Sequence, residues 1–207
     1  MPGISSLLPP ATRTLILVNV GVYLVQRLSP ELMEHLFALW PLHNPQFEPW
    51  QLITYGFLHD PTNIAHIFFN MFALFMFGRG LELYWGSRRF VGYYFVCLIS
   101  AAITQLVVEG AGGQQEPVMG ASGAIFGVLL AFAWYFPRAK LILIPIPIPV
   151  PAWLFVTLYA LAELVFGVTG TMSNVAHFAH LGGMLGGALC ILYWRARGRF
   201  SSSTTRF

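Results

Sequence analysis

Apolar residues run along this chain in blocks too long for the interior of a soluble domain. Six blocks stand out, near Thr14–Gln26, Asn63–Leu83, Phe90–Val108, Ser122–Phe136, Ala152–Val168 and Val175–Trp194. A helix that crosses a bilayer needs about 20 mostly apolar residues. The pattern therefore predicts an all-α, polytopic membrane protein with six transmembrane helices over residues 1–200, followed by a polar, disordered tail, Ser201–Phe207. The fourth block is short, which suits a helix embedded among the others or one that starts below the membrane surface. The long first connection, Ser29–Asp60, is rich in Leu, Phe, Trp and Pro and reads as a segment lying in the membrane interface. The run Ile144–Pro151 alternates Pro with aliphatic residues, and each Pro disfavours helix in the residue before it, so an extended, stiff connector is expected.

Charge placement tests the helix count. If the chain alternates sides, one side receives Arg13, then Arg79, Arg88 and Arg89, then Arg138 and Lys140, then Arg195, Arg197, Arg199 and Arg206. Only Arg27 of the 11 basic residues falls on the other side. Cytoplasmic loops carry the excess of Lys and Arg, so both termini are expected in the cytoplasm. The net charge of +3 then reads as membrane orientation, and no nucleic-acid partner is expected.

Composition agrees. The chain is 57% hydrophobic and 9% charged, against roughly 25% charged in soluble domains. That is too little charge to cover a water-facing surface. The two cysteines, Cys97 and Cys190, sit inside apolar blocks and are too few for a disulfide framework or metal cluster. No metal or cofactor is expected. The first apolar block continues into Gln26-Arg27-Leu28-Ser29-Pro30 with no small-residue cleavage site, so it reads as a retained helix.

Strongly polar residues inside membrane helices are costly, and each is a functional candidate by default. The second helix carries His66 and Asn70 at i, i+4, on one face. The fourth opens on Gly120-Ala121-Ser122-Gly123. The sixth carries His177 and His180, running onto Gly182, Gly183, Gly186 and Gly187. By the alternation above, all three clusters lie at similar depth near the non-cytoplasmic side. Gly123 and Gly127, like Gly183 and Gly187, form small-xxx-small pairs that let helix backbones approach closely. Packing the fourth helix on the sixth would bring the Ser122 hydroxyl within reach of the His180 ring. Singly, each residue has a plainer explanation, as a local hydrogen bond, interhelical glue or tight packing. Together, at one depth beside glycine seams, they point to a site.

These residues resemble the rhomboid intramembrane serine proteases over nearly the whole chain. The resemblance rests on Gly120-Ala121-Ser122-Gly123 opening the fourth helix, His66-Ile67-Phe68-Phe69-Asn70 in the second and His180-Leu181-Gly182-Gly183 with Gly187 in the sixth, together with the six-helix order and long first loop. The hydrolase elbow G-x-S-x-G does not fit, since Ala124 stands two residues after Ser122 and no strand precedes it. The chain departs from the family pattern at Trp50-Gln51, where the family has Trp-Arg and the guanidinium that could anchor the loop is missing. It departs again at Phe126, where a Tyr is common; a ring there can still stack on His180. Glu82 is expected to be structural, bonded to loop groups such as Ser87.

The resemblance implies a Ser122–His180 dyad with no third acid, in which packing by Phe126 holds the His180 tautomer. Glu163, in the fifth helix, is expected to be a structural or water-facing group. A serine hydroxyl is a poor nucleophile until a base takes its proton, and His180 fills that role. The oxyanion donors implied are His66, Asn70 and the backbone N–H of Ser122, helped by the unpaired N–H groups at the helix start. Gly120, Gly123, Phe126 and His177 are expected to line the site, with the loops 110–119 and 167–174 capping it. The implied partners are the lipid bilayer and single-span transmembrane substrates, cut in or near their membrane segment. The implied location is a prokaryotic plasma membrane, with the site opening to the non-cytoplasmic side. A client-binding relative without activity is the alternative, and a small transporter a more distant one, lacking the internal repeats such folds carry. The sequence carries no signal for oligomeric state.

Overall fold

The computed structural model describes residues 8–112, 116–143, 146–171 and 176–198. The tail Ser201–Phe207 and parts of the loops 110–119 and 167–174 lie outside them. Helix dominates, in the order α1 (Pro10–Leu28), α2 (Pro30–Phe37), α3 (Gln51–Thr54), α4 (Ile64–Ala73), α5 (Arg79–Trp85), α6 (Ser87–Gly112), α7 (Ser122–Tyr135), α8 (Ala152–Thr169) and α9 (His177–Ala196). A π-helical turn, Leu74–Gly78, joins α4 to α5 in one rod, Ile64–Trp85. Among the described residues, three helices are long and apolar enough to cross a membrane, Ile64–Trp85, Ser87–Val108 and Ala152–Thr169, with α7 as a shorter apolar helix.

α7 is the central element. Residues Gly123 to Leu129, with Ala131 and Ala133, are buried, so the helix is enclosed on nearly every side by α6, α8, α9 and the α4–α5 rod. This resolves why its apolar block is short. α8 is its opposite. Only Ala152, Val156 and Glu163 are buried, while Leu158, Leu161, Leu164, Val165 and Val168 face outward. Such an apolar outer face suits lipid, not water.

Small residues set the closest approaches. A Cβ added at Gly183 would collide with the Gly123 carbonyl oxygen, and one at Gly127 would lie 2.9 Å from the Gly183 carbonyl oxygen. α7 and α9 therefore meet backbone to backbone. Gly182 and Gly186 serve a different seam: a Cβ at either would collide with Thr104 or Ser100 of α6.

Glu82 secures the start of α1. That helix has no side-chain cap of its own. Instead Glu82 Oε1 accepts from the Ala11 N–H (2.8 Å) and the Ser87 hydroxyl (2.6 Å), and Oε2 accepts from the Thr12 N–H and hydroxyl (both 2.7 Å). A carboxylate there satisfies orphan donors and opposes the positive helix end.

Ile144 and Pro145 lie outside the described residues; from Ile146 on the proline run is extended, as expected, but it is also paired. Strand β1 (Lys140–Leu143) lies antiparallel to β2 (Ile146–Pro151), with Leu141 opposite Val150 and Ile142 opposite Pro149. Pro149 and Pro151, opposite Ile142 and Lys140, flank Val150 at alternate positions, so their missing N–H groups fall on one edge and leave the other able to pair; the register shifts beyond Ile142, where Leu143 lies opposite Ile146.

Candidate active site

The site is built where α4, α7, α8 and α9 meet. The first connection forms one wall. Leu39 and Val118 exchange two backbone bonds of 2.9 Å, and the Gly120 N–H donates to the Tyr55 carbonyl oxygen at 2.9 Å. The loop is held together by Gln51, which is fully buried. Its Oε1 accepts from the Glu48 N–H (3.1 Å) and the Trp40 N–H (3.3 Å), and its Nε2 donates to the Gln46 carbonyl oxygen (2.8 Å). A neutral amide thus anchors the loop without a guanidinium.

Ser122 begins α7, but its hydroxyl is not used as a cap: Ala121 is the N-cap residue and no side chain caps this helix. Ser122 Oγ lies 2.8 Å from His180 Nε2. The Phe126 ring, one turn further along α7, stacks on the His180 ring with centroids 4.2 Å apart and planes within 6°. The other face of Phe126 meets Tyr159 of α8.

His66 approaches from α4. The Asp60 backbone N–H donates to His66 Nδ1 at 3.2 Å, so in the neutral ring the hydrogen sits on Nε2. That nitrogen points at Gly120, where an added Cβ would lie 2.9 Å from it and 3.7 Å from Ser122 Oγ. Gly120 has φ +130°, a conformation that belongs to glycine. Its bare Cα leaves an open position between a ring N–H and a nucleophile. Asn70 is buried one turn beyond, and its Nδ2 donates to the His66 carbonyl oxygen at 2.8 Å, with no second partner for that amide nitrogen among the described residues. Asp60 lies in the loop ahead of α4. Its burial would raise its carboxyl, but the Thr62 hydroxyl and N–H hold it below the usual range.

Three expectations are corrected. Gly123, expected to line the site, does not face open space there. A Cβ there would stand 2.5 Å from Ala101 Cβ and 3.5 Å from the Ala179 carbonyl oxygen, so the position is taken up by helix packing. Glu163 does not face water. It is 4% exposed, and its Oε2 lies 2.9 Å from His180 Nδ1 and 2.7 Å from His177 Nδ1. A third acid therefore stands behind His180, and packing by Phe126 is not its only restraint. His177 is buried as well, with Nε2 3.0 Å from the Thr171 carbonyl oxygen, so it supports the site from behind rather than lining an open cavity. Glu163, His177 and His180 are also the residues whose ligand atoms could gather on a metal ion, all lying within 4.8 Å of one another.

Sequence reasoning noticed Glu163 and gave it no partner. The available signal was its isolation, since α8 holds no other Asp, Glu, Lys, Arg or His. His59 was missed altogether. It is fully buried, its ring edge-on to His66 with centroids 5.1 Å apart, and neither ring nitrogen has a hydrogen-bond partner among the described residues. Burial pushes it down to about 3, with the neighbouring His66 adding to the effect.

Comparison with known proteins bears on this geometry. A Rhomboid domain model matches residues 46–197, a stretch that holds every residue of the site. The chain is 33% identical to Rhomboid protease GluP of Bacillus subtilis over 142 residues, 69% of this chain and 25% of that protein. It is 26% identical to Rhomboid protease GlpG of Photorhabdus laumondii over 203 residues, 96% of this chain and 66% of that one. It is 33% identical to Rhomboid protein 1, mitochondrial, of Saccharomyces cerevisiae over 135 residues, 60% of this chain and 36% of that one. The chain thus spans between a quarter and two thirds of these relatives. Mitochondrial proteins stand beside bacterial ones, so the comparison gives a membrane family and no support for a prokaryotic plasma membrane in particular. A family model that covers most of the chain, matched by relatives from bacteria and mitochondria alike, leaves one assignment: the chain belongs to the rhomboid family of membrane proteins.

Proposed function

We propose that this chain is an intramembrane serine endopeptidase, hydrolysing peptide bonds in or near the membrane segment of single-span proteins. The observation that carries the reading is the 2.8 Å contact between Ser122 Oγ and His180 Nε2, formed between two helices that meet backbone to backbone. In this reading six helices cross the bilayer, and both termini lie on the basic side. The site opens to the opposite side.

The chemistry follows from the atoms. Ser122 Oγ attacks the scissile carbonyl carbon while its proton passes to His180 Nε2. The carbonyl oxygen becomes an oxyanion beside the Nε2–H of His66, the free amide hydrogen of Asn70 and the N–H groups at the start of α7. Collapse expels the amine, which takes the proton from His180 and leaves an acyl-enzyme. Water, deprotonated by His180, then releases the acid. A client-binding protein without activity would have no use for a serine hydroxyl aligned on an imidazole, which favours the enzyme reading.

The test is reaction of the purified full chain with a fluorophosphonate, alongside cleavage of a transmembrane substrate in proteoliposomes. Wild type should be labelled and should cut. Ser122→Ala should do neither while remaining folded in detergent. A wild type that neither reacts nor cuts would remove the proposal.

A further inference from the structure

The protons around Glu163 can be counted. His177 has acceptors at both ring nitrogens: the Thr171 carbonyl oxygen 3.0 Å from Nε2, and Glu163 Oε2 2.7 Å from Nδ1. A carbonyl oxygen only accepts, so His177 Nε2 carries a hydrogen. His177 Nδ1 then either carries a second hydrogen, facing a carboxylate, or accepts one from a protonated Glu163. In both forms the pair shares one proton and is neutral overall. In both forms the same oxygen, Oε2, keeps a lone pair for His180 Nδ1 at 2.9 Å. His180 must therefore donate from Nδ1. Its Nε2 is left bare, an acceptor for the Ser122 hydroxyl 2.8 Å away. The remaining arrangement has Glu163 donating to His180 and a cationic His177. It leaves an unbalanced charge among residues that are 4–7% exposed, a costly state.

From this geometry we infer that Glu163 is a positioning residue, holding His180 in the tautomer that can accept the serine proton, with His177 as the second donor that aims its carboxyl group. The inference rests on the reading of Ser122 and His180 as nucleophile and base. It turns the expected dyad into a three-residue chain, supplied by α7, α9 and α8. As His180 Nε2 takes the proton from Ser122, the new imidazolium charge forms 2.9 Å from Glu163 Oε2. The proton shared by Glu163 and His177 then rests on His177 and leaves a carboxylate facing His180. No further bond breaks, and the proton on Nε2 later leaves with the amine. The contacts of 2.7 and 2.9 Å are charge-assisted hydrogen-bond lengths that already satisfy these atoms.

The experiment compares Glu163→Gln and Glu163→Asp with wild type, using the full chain in proteoliposomes. Three quantities are read: kcat and KM for a transmembrane substrate, the rate of fluorophosphonate labelling, and the ring ¹⁵N spectrum of labelled histidines. Changing the third acid of a serine protease to its amide lowers kcat about 10⁴-fold by mis-setting the tautomer. Glu163→Gln should lower kcat and the labelling rate by about 10²-fold or more, with KM changed less than about threefold. Glu163→Asp, which keeps the acid on a shorter stem, should recover part of the loss. The wild-type spectrum should show His180 protonated on Nδ1, and the Gln variant should show a mixture. A folded Glu163→Gln protein that labels and cuts near the wild-type rate would overturn the inference. Should that variant fail to fold, a wild-type His180 protonated on Nε2 alone would overturn it equally. A wild type that shows the Nδ1–H tautomer yet never cuts would sink the protease reading and leave the tautomer assignment standing.

Discussion

Among the described residues, two buried carboxylates sit inside the helices, and they are held in opposite ways. Glu82 is 2% exposed and Glu163 is 4% exposed. Glu82 is surrounded by the N–H groups of Ala11 and Thr12 and the hydroxyls of Thr12 and Ser87. None of these donors gives up its proton at ordinary pH, so the charge on Glu82 is fixed and its work is to hold α1 against α5. Glu163 meets only His177 and His180 among the described side chains that bond it, and both partners can gain or lose a proton. Burial alone does not separate a structural acid from a working one. What separates them is whether the partners' protons can move.

The largest expected effect breaks the structural member. Glu82→Leu leaves two backbone N–H groups and two hydroxyls without their acceptor. Hydrogen bonds to a charged group contribute about 1.5–3 kcal/mol each, and a buried donor left unpaired costs more than its bond. Stability should fall by about 3 kcal/mol or more, read as a lower unfolding temperature in detergent. Glu82→Gln should be nearly as harmful, because its NH₂ would face donors. In either variant the rate of fluorophosphonate labelling per folded molecule should stay at the wild-type level. A drop in that rate without a loss of stability would put Glu82 in the same class as Glu163.

The sequence shows one of these roles more plainly than the other. Glu82 lies five residues before Ser87, one of its partners, so part of its environment is local. The Ser122–His180 meeting was also legible, because glycines on both helices mark the faces that touch. The six apolar blocks fall within a few residues of α1, the α4–α5 rod, α6, α7, α8 and α9. The partners of Glu163 lie 14 and 17 residues away on another helix. They depend on how α8 is rotated about its axis, and α8 is apolar nearly all round, with no polar face from which to read that rotation. The pairing of β1 with β2 was hidden for a similar reason, since prolines argue against a ladder until the register puts Pro149 and Pro151 on the free edge.

A smaller effect sharpens the working member. His177→Gln removes the ring that shares the proton with Glu163 but leaves the Glu163–His180 contact in place. An amide in its place can still donate once, to Thr171 or to Glu163. Loss of a supporting bond that does not touch the reacting atoms should lower kcat by about tenfold or less, well short of the loss expected for Glu163→Gln. Steady-state cleavage in proteoliposomes measures the difference. Equal losses in the two variants would mean that Glu163 and His177 act as one inseparable unit, and the carboxyl group alone would not set the tautomer.

The smallest effect concerns His59, the limiting case of the comparison, a buried ionisable group whose ring has no hydrogen-bond partner among the described residues. In the unfolded chain it takes up a proton near 6.5, whereas in the folded protein burial holds it down to about 3. Between those values the unfolded chain binds more protons, so the folded state loses stability as pH falls through this window. Near pH 5.5 the single group should account for about 1.4 kcal/mol of that loss. His59→Phe keeps an aromatic edge against His66 but cannot be protonated. Unfolding temperatures measured in detergent from about pH 7.5 to pH 4.5 should therefore fall less steeply in His59→Phe than in wild type, with the two curves diverging below pH 6.5. Parallel curves would mean that His59 has a partner for its proton after all, and that it belongs with Glu163 among the groups whose protons are shared.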